Sequence, residues 1–292
     1  MERLHELLKE SVQIVPFHST HLGALYANRC EEMYASLRDE CVDMVFADPP
    51  FNIGKKYRKG TNDSMETEEY IAWCKVWLDE SIRVLKPGGA MFIYNLPKWN
   101  ILLGAYLMGR GMDMRHWIAI ELNLTLPRPK HLYPSHYSLL YLTKGSPATF
   151  NQIRTPIELC RHCGKMVKDY GGHGKKMNPN GVNLKDIWRD ITPVRHAKYK
   201  HPGRKGVNAM STKITDRAIL LTTNPGDVVL DPFGGTGTTY VSAEQLGRHW
   251  IGAEIDYCPE IVDRLSNDEI RRHPNNDWCE EAHPEVVQKT LK

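Results

Sequence analysis

No run of 18 apolar residues occurs anywhere in the 292, so a membrane-spanning helix is not expected. The first 13 residues are charged and hold no apolar core, so secretion is not expected either. Cysteine is sparse and uneven: seven, in a chain too large to need staples, which points to reduced thiols in the cytoplasm. No internal repeat is visible. Charge of either sign is not in excess, since 38 basic and 35 acidic residues leave a net +3. Hydrophobic residues at 41% and charged residues at 25% exclude a disordered or fibrous chain. The length admits two domains, or one large α/β domain with an insertion.

The charge is unevenly placed. Residues 154–205 hold 13 Lys and Arg against 4 Asp and Glu, a local +9, which leaves the rest of the chain at −6. A basic block in a mildly acidic protein suggests a phosphate-rich partner, with a solvated basic insertion as the bland alternative.

Short apolar runs read as strands at 41–48, 88–95, 116–122, 136–145, 227–233 and 249–256. Between them Ile71, Cys74, Trp77, Leu78, Ile82 and Leu85 recur at helical spacing, with Glu68 and Glu69 in the first turn and Pro87-Gly88-Gly89 ending the helix. Residues 211–223 and 238–246 also read as helices. This alternation predicts an α/β domain with a largely parallel sheet. Residues 145–205 carry glycine, proline and histidine with little periodicity and read as a loop-rich insertion.

Two turns carry chemistry. In the first, Asp231-Pro232-Phe233-Gly234-Gly235-Thr236-Gly237 links a strand to a helix start, where glycines let a ligand approach free backbone N–H groups. A phosphate loop needs a Gly-Lys-Ser/Thr ending that is missing here. The dinucleotide fingerprint needs glycine or alanine where Tyr240 stands. Glu254 closes the next strand and can hold two ribose hydroxyls, so a nucleoside ligand fits better. S-adenosylmethionine meets that description, with its ammonium facing Asp231. In the second turn, Asp48-Pro49-Pro50-Phe51, two prolines remove two donors. The Asp48 carboxylate and Pro49 carbonyl are left as acceptors suited to an –NH₂ group, and Phe51 offers a face for a flat ring.

These motifs resemble those of the DNA amino-methyltransferases: Asp/Asn/Ser-Pro-Pro-aromatic at Asp48–Phe51, and Phe-x-Gly-x-Gly at Phe233–Gly237. The order, amine-binding motif first, resembles the β group, in which the target-recognition region lies between the two. The resemblance covers roughly residues 25–262. It implies an α/β, Rossmann-like S-adenosylmethionine-dependent methyltransferase sheet with an inserted loop-rich target-recognition region. It implies catalytic roles for Asp48, Pro49, Pro50 and Phe51, and cofactor contacts from Asp231, Phe233, Gly234, Gly235, Gly237 and Glu254. Lys213 is added because Ser211-Thr212-Lys213 stands where relatives have Gln-Lys-Pro. Asn28-Arg29-Cys30 departs from the Gly-Asp-Cys of many relatives.

The implied activity is transfer of methyl to adenine N6 in a base flipped out of double-stranded DNA. Cytosine N4 is the variant, a protein glutamine methyltransferase shares the amine-gripping logic, and a non-catalytic DNA-binding module is the reading from another class. Cytosine C5 chemistry is not expected, because no Pro-Cys dipeptide supplies its thiol. A homodimer and the cytoplasm of a bacterial or phage-infected cell complete the picture. The expected divisions are an N-terminal extension 1–24, a catalytic half 25–144, the target-recognition region 145–205, a cofactor-binding half 206–264 and a tail 265–292. The basic loop 52–60 is a candidate DNA-backbone contact. Cys160 and Cys163 form half of a zinc knuckle, and with His173 they are candidate ligands of a structural zinc.

Overall fold

The computed structural model describes residues 6–10, 14–55, 63–122, 129–130, 132, 134–157, 159, 162–165, 171–172, 178, 180–191 and 210–266. Their elements run β1 (His18–Ser19), β2 (Gly23–Tyr26), α1 (Cys30–Ser36), β3 (Val42–Ala47), α2 (Thr67–Val84), β4 (Leu85–Asn95), α3 (Pro97–Gly109), β5 (Asp113–Glu121) and β6 (His136–Thr143). After the short strands β7 (Arg154–Thr155), β8 (Val182–Asn183) and β9 (Ile187–Trp188) come α4 (Thr212–Thr222), β10 (Val228–Asp231), α5 (Thr238–Gln245), β11 (His249–Ala253) and α6 (Cys258–Ser266).

Nine strands form one sheet in the order β1-β2-β11-β10-β3-β4-β6-β5-β9. From β2 to β4 all pairings are parallel. Strand β6 runs against both β4 and β5, and β1 against β2. The sheet is therefore largely parallel, as the strand–helix alternation predicts.

Strand β3 explains how the layers form. Val45 and Ala47 enter a core with α1, α2 and α3, where Tyr34, Trp77, Leu78 and Leu107 pack. Met44 and Phe46 enter the opposite core with α4, α5 and α6, where Ala218, Tyr240 and Ile261 pack. The two-residue period of the pleat sends neighbours to opposite faces, so a strand covered by helices on both sides must be apolar throughout.

The expectation that Pro87-Gly88-Gly89 separates helix from strand needs correction. Helix α2 ends at Val84 and β4 begins at Leu85. Val42 pairs with Leu85 and then Met44 with Ala90, so the Pro-Gly-Gly segment is absorbed as a bulge within the ladder. The Lys86 ammonium pins it to the Asp43 carboxylate at 2.8 and 2.9 Å, and the same carboxylate accepts the Val228 N–H at 2.8 Å.

The insertion is not wholly loop. Strand β9 joins the edge of the sheet beside β5, with Ile187 opposite Ala119 and Trp188 opposite Ile120. On the N-terminal side, Leu7 and Leu8 are buried in the core around α1. The tail 265–292 falls almost entirely outside the described residues.

Tyr240 and Trp250 stack at 4.7 Å and 19°. A Cβ on Gly252 would lie 2.2 Å from the Tyr240 ring. Gly252→Ala is therefore expected to destabilise the fold by about 1–3 kcal/mol, read as a lower urea midpoint at unchanged slope.

Candidate active site

The order of strands creates a switch point. From β10 the chain moves outward through α5 to β11, whereas from β3 it moves the other way through α2 to β4. A crevice opens at the carboxyl ends of strands where the winding reverses. Val229 pairs with Met44 and Leu230 with Val45, in parallel. Asp231, the last residue of β10, and Asp48, directly after β3, thus leave the sheet at the same end of neighbouring strands.

Their electrostatics agree. The Asp48 carboxyl is pushed up to about 8, first by burial and then by the charge of Asp231, with Lys55 opposing. Burial pushes Asp231 up to about 7, and the charge of Glu254 adds to it. Glu254 is itself raised, mainly by burial. Three acids converge on one low-dielectric corner, where desolvation disfavours each anion.

The corner is held from outside. The Tyr70 hydroxyl of α2 donates to the Pro50 carbonyl at 2.7 Å, and the Asn95 amide donates to that hydroxyl at 3.1 Å. The Trp99 indole of α3 donates to the Phe51 carbonyl at 2.6 Å. Among the described residues, no donor reaches the Asp48 carboxylate or the Pro49 carbonyl. Two acceptors stay free while the two carbonyls after them are tied. The chain then turns through Asn52 at φ +53°, and the buried Asp63 carboxylate accepts the N–H groups of Asn52 (2.7 Å), Ile53 (3.3 Å) and Lys55 (2.7 Å). Of the basic loop, 56–60 lies outside the described residues.

Phe51 stands in a group of three rings, 5.9 Å from Tyr94 and 5.8 Å from Tyr137, with those two 5.1 Å apart. Burial raises both phenols, and the Asp48 charge raises them further. The acid therefore sits beside a cluster of three aromatic rings.

The glycine turn is built around Tyr240. Its hydroxyl donates to the Asp231 carbonyl at 3.0 Å, and its ring fills the space a Cβ on Gly234 would need. Gly237 caps α5 at φ +75° and lies against Ile261 of α6. Gly235, at φ +51°, differs: a Cβ there would meet nothing closer than the Phe233 carbonyl at 3.9 Å. That face of the turn is open to a ligand. The Phe233 N–H donates to Asp231 at 2.9 Å, and the Phe233 ring packs against Trp73 (5.7 Å) and Trp77 (5.2 Å) of α2. The Glu254 carboxylate accepts N–H groups from Gly235 (2.6 Å), Ile255 (3.0 Å), Asp256 (2.7 Å) and Tyr257 (3.3 Å), which fixes it at the end of β11.

Asp48–Phe51 and Asp231–Gly237 with Glu254 are thus brought to one end of the sheet. Lys213 directs its ammonium to Asp190 at 2.8 Å. Cys163 is exposed, Cys160 and His173 lie outside the described residues, and no group of three metal-binding side chains occurs among the described residues. Sequence reasoning missed Tyr94, Tyr137, Tyr70 and Trp99. Tyr94 could have been found, since it stands near the carboxyl end of a strand adjoining the Asp48 strand. Tyr137 could not, because its strand runs the opposite way and reaches the ring cluster from its first residues.

A family model described as DNA methylase matches residues 42–264. The chain belongs to the DNA methylase family. It is 50% identical over 256 residues to Type II methyltransferase M.BamHI of Bacillus amyloliquefaciens, an alignment covering 87% of this chain and 60% of that protein. It is 30% identical to Type II methyltransferase M.BglII of Bacillus subtilis, over 95% of this chain and 82% of the relative. The fold is that of the solved PvuII DNA methyltransferase (cytosine-N4-specific), with a TM-score of 0.64 at 18% identity over 94% of this chain and 95% of that one. No helix among the described residues is long and apolar enough to cross a membrane.

The raised acids carry a stability cost with a definite sign. The folded value of Asp231, about 7, lies above an unfolded value near 3.9. Its contribution is fully present below about pH 4 and is lost as pH rises through 7. Asp231→Asn is expected to flatten the fall in melting temperature between pH 5 and 8.5. An equal fall in wild type and variant would remove Asp231 as its source.

Proposed function

We propose that this chain transfers a methyl group from S-adenosylmethionine to the exocyclic amine of a base swung out of double-stranded DNA. Adenine N6 is the proposed target, and cytosine N4 is the second form, because the grip recognises an –NH₂ group that both bases carry. The observation that carries the proposal is a pair of acceptors that no donor reaches among the described residues, the Asp48 carboxylate and the Pro49 carbonyl, one strand away from the Asp231 corner.

The residues fit the methyl donor. The open face of Gly235 admits a ligand against the backbone, buried Asp231 offers a counter-charge, and the Glu254 Oε2, which accepts one N–H group, keeps a lone pair for a ribose hydroxyl. When bound, S-adenosylmethionine supplies a methyl activated by a sulfonium. The chain's own part is position. Asp48 and the Pro49 carbonyl accept the two amine hydrogens and turn the nitrogen lone pair out of ring conjugation. Phe51 stacks on the ring, supported by Tyr94 and Tyr137 packed beside it. Once methylated, with the carbon–sulfur bonding pair left on sulfur, the amine nitrogen would be acidic, and Asp48 would be placed to take its proton.

Residues 145–205 are proposed as the target-recognition region, between a catalytic half 25–144 and a cofactor-binding half 206–264. The local charge of +9 supports this assignment. Double-stranded DNA as partner, the cytoplasm as location and a homodimer belong to the same proposal, the last checked by sedimentation. Zinc has no place in it.

Labelled S-adenosylmethionine and unmethylated genomic DNA, followed by digestion to nucleosides, test the reaction and separate N6-methyladenine from N4-methylcytosine. Asp48→Ala is expected to abolish transfer while calorimetry still detects cofactor binding; methylation surviving in that variant would remove the proposal. The pH dependence follows from Asp231. Its anion attracts the cationic donor above about pH 7 and loses that attraction once protonated, so affinity weakens as pH falls from 8.5 to 6. Asp231→Asn is expected to be weaker at pH 8.5 and nearly indifferent to pH.

A further inference from the structure

The inserted region returns to the body of the protein through a cluster that the proposed reaction does not use. Trp188, the last residue of β9, is buried, and its indole donates to the Lys185 carbonyl at 2.7 Å. The Arg217 guanidinium of α4 lies 5.0 Å from the Trp188 ring. Two residues beyond that ring, the Asp190 carboxylate accepts both arms of Arg217, at 2.9 and 2.5 Å. Lys213 adds its ammonium to the same carboxylate at 2.8 Å and reaches the Asp190 carbonyl at 3.3 Å. Arg217 is 1% exposed, whereas the Asp190 side chain is about half exposed, at 51%. Burial pushes the Asp190 carboxyl up, but the hydrogen bond and charge of Arg217, joined by Lys213, outweigh it and hold the group down at about 2.

The far side of α4 matters as much. Its Thr215 hydroxyl meets the Ser242 hydroxyl of α5 at 2.6 Å, and the Thr238 hydroxyl donates to the Met210 carbonyl just before α4 at 3.4 Å. Helix α5 is the one the glycine turn opens into. One helix therefore touches the returning end of the insertion on one side and the support of the glycine turn on the other. A two-pronged guanidinium–carboxylate pair fixes direction as well as distance.

We propose that Asp190 is a positioning residue for DNA selectivity, latching the return of the inserted region onto α4 so that groups reading the DNA stand at a fixed place relative to the Asp48 corner. The proposal rests on the assignment of residues 145–205 to target recognition. It gives Lys213 a role in the latch, distinct from the cofactor contact that the sequence motif implies. Because Asp190 touches neither base nor donor, its loss acts on discrimination before it acts on chemistry.

The test uses Asp190→Asn, which keeps the shape and removes the charge, and Asp190→Glu, which keeps the charge. Each full-length variant is given unmethylated genomic DNA, and the modified positions are mapped. The expected result for Asp190→Asn is about a tenfold fall in preference for the wild-type motif over motifs differing at one base, the scale of one discriminating contact. Cofactor affinity and kcat at saturating DNA stay within about twofold of wild type, and Asp190→Glu recovers most of the preference. Unchanged preference, or cofactor affinity lost in step with preference, overturns the latch. Hydrogen exchange gives a second measurement independent of DNA: residues 182–191 lose protection in Asp190→Asn, while 228–253 keep theirs. A wild type that modifies no DNA overturns the functional proposal; exchange then decides the latch, and equal protection at 182–191 in both proteins overturns it.

Discussion

The parallel pairing of β3 with β10 is the constraint on which the site depends. It places two carboxylates at the same end of neighbouring strands, and neither has a cation close enough to cancel the penalty of burial. A fold selected for stability alone would not keep such a pair. The surrounding structure makes it tolerable by holding the backbone on each side, so that relaxation cannot carry the charges apart or out to water. Helices α2 and α3 hold the Asp48 side through Tyr70 and Trp99, and Tyr240 holds the Asp231 side from beneath.

That division explains which polar groups are satisfied and which are not. The carbonyls of Pro50 and Phe51 each receive a side-chain donor, whereas among the described residues the Pro49 carbonyl receives none. Two successive prolines bring no N–H of their own to fill the gap. A buried acceptor without a donor costs free energy until a partner arrives, so it is a poor feature of a resting core and a good one in a binding site. The glycines divide similarly. Gly234 and Gly252 make room for the Tyr240 ring, while Gly235 leaves room for something that is not part of the chain.

Much of this was legible from residue order. The strands, the long helix, both turns and the acid closing β11 follow from apolar runs and from proline and glycine placement. The bulge at Pro87–Gly89 was not legible, because Pro-Gly-Gly ends a helix in most settings, and only the Asp43–Lys86 pair draws it into the ladder. The meeting of Tyr137 with Tyr94 beside Phe51 was hidden for another reason. Tyr94 and Tyr137 lie 43 residues apart on strands of opposite direction, and which of their alternating faces looks at Phe51 is fixed only once β6 is inserted between β4 and β5. Nothing in the spacing of Trp188, Asp190 and Arg217 announces their contact either, since an ion pair across 27 residues leaves no periodic trace.

The separation of charge completes the physical picture. The insertion is basic, while the corner proposed to receive the amine is lined with acids whose anions burial disfavours. In the proposed reaction, a nucleic acid drawn to the first meets at the second a desolvated corner that takes an uncharged base at less cost than a phosphate. Desolvation thus opposes entry of the phosphodiester and leaves room for an amine, before any contact that distinguishes one base from another. Such a division works only if the basic part is held at a fixed distance from the acidic corner. The end of the insertion that rejoins the sheet carries its own acid, Asp190, bound to two cations of α4. In a segment where basic residues outnumber acidic ones by 13 to 4, that carboxylate is a scarce group, and it is spent on attachment to the body of the protein.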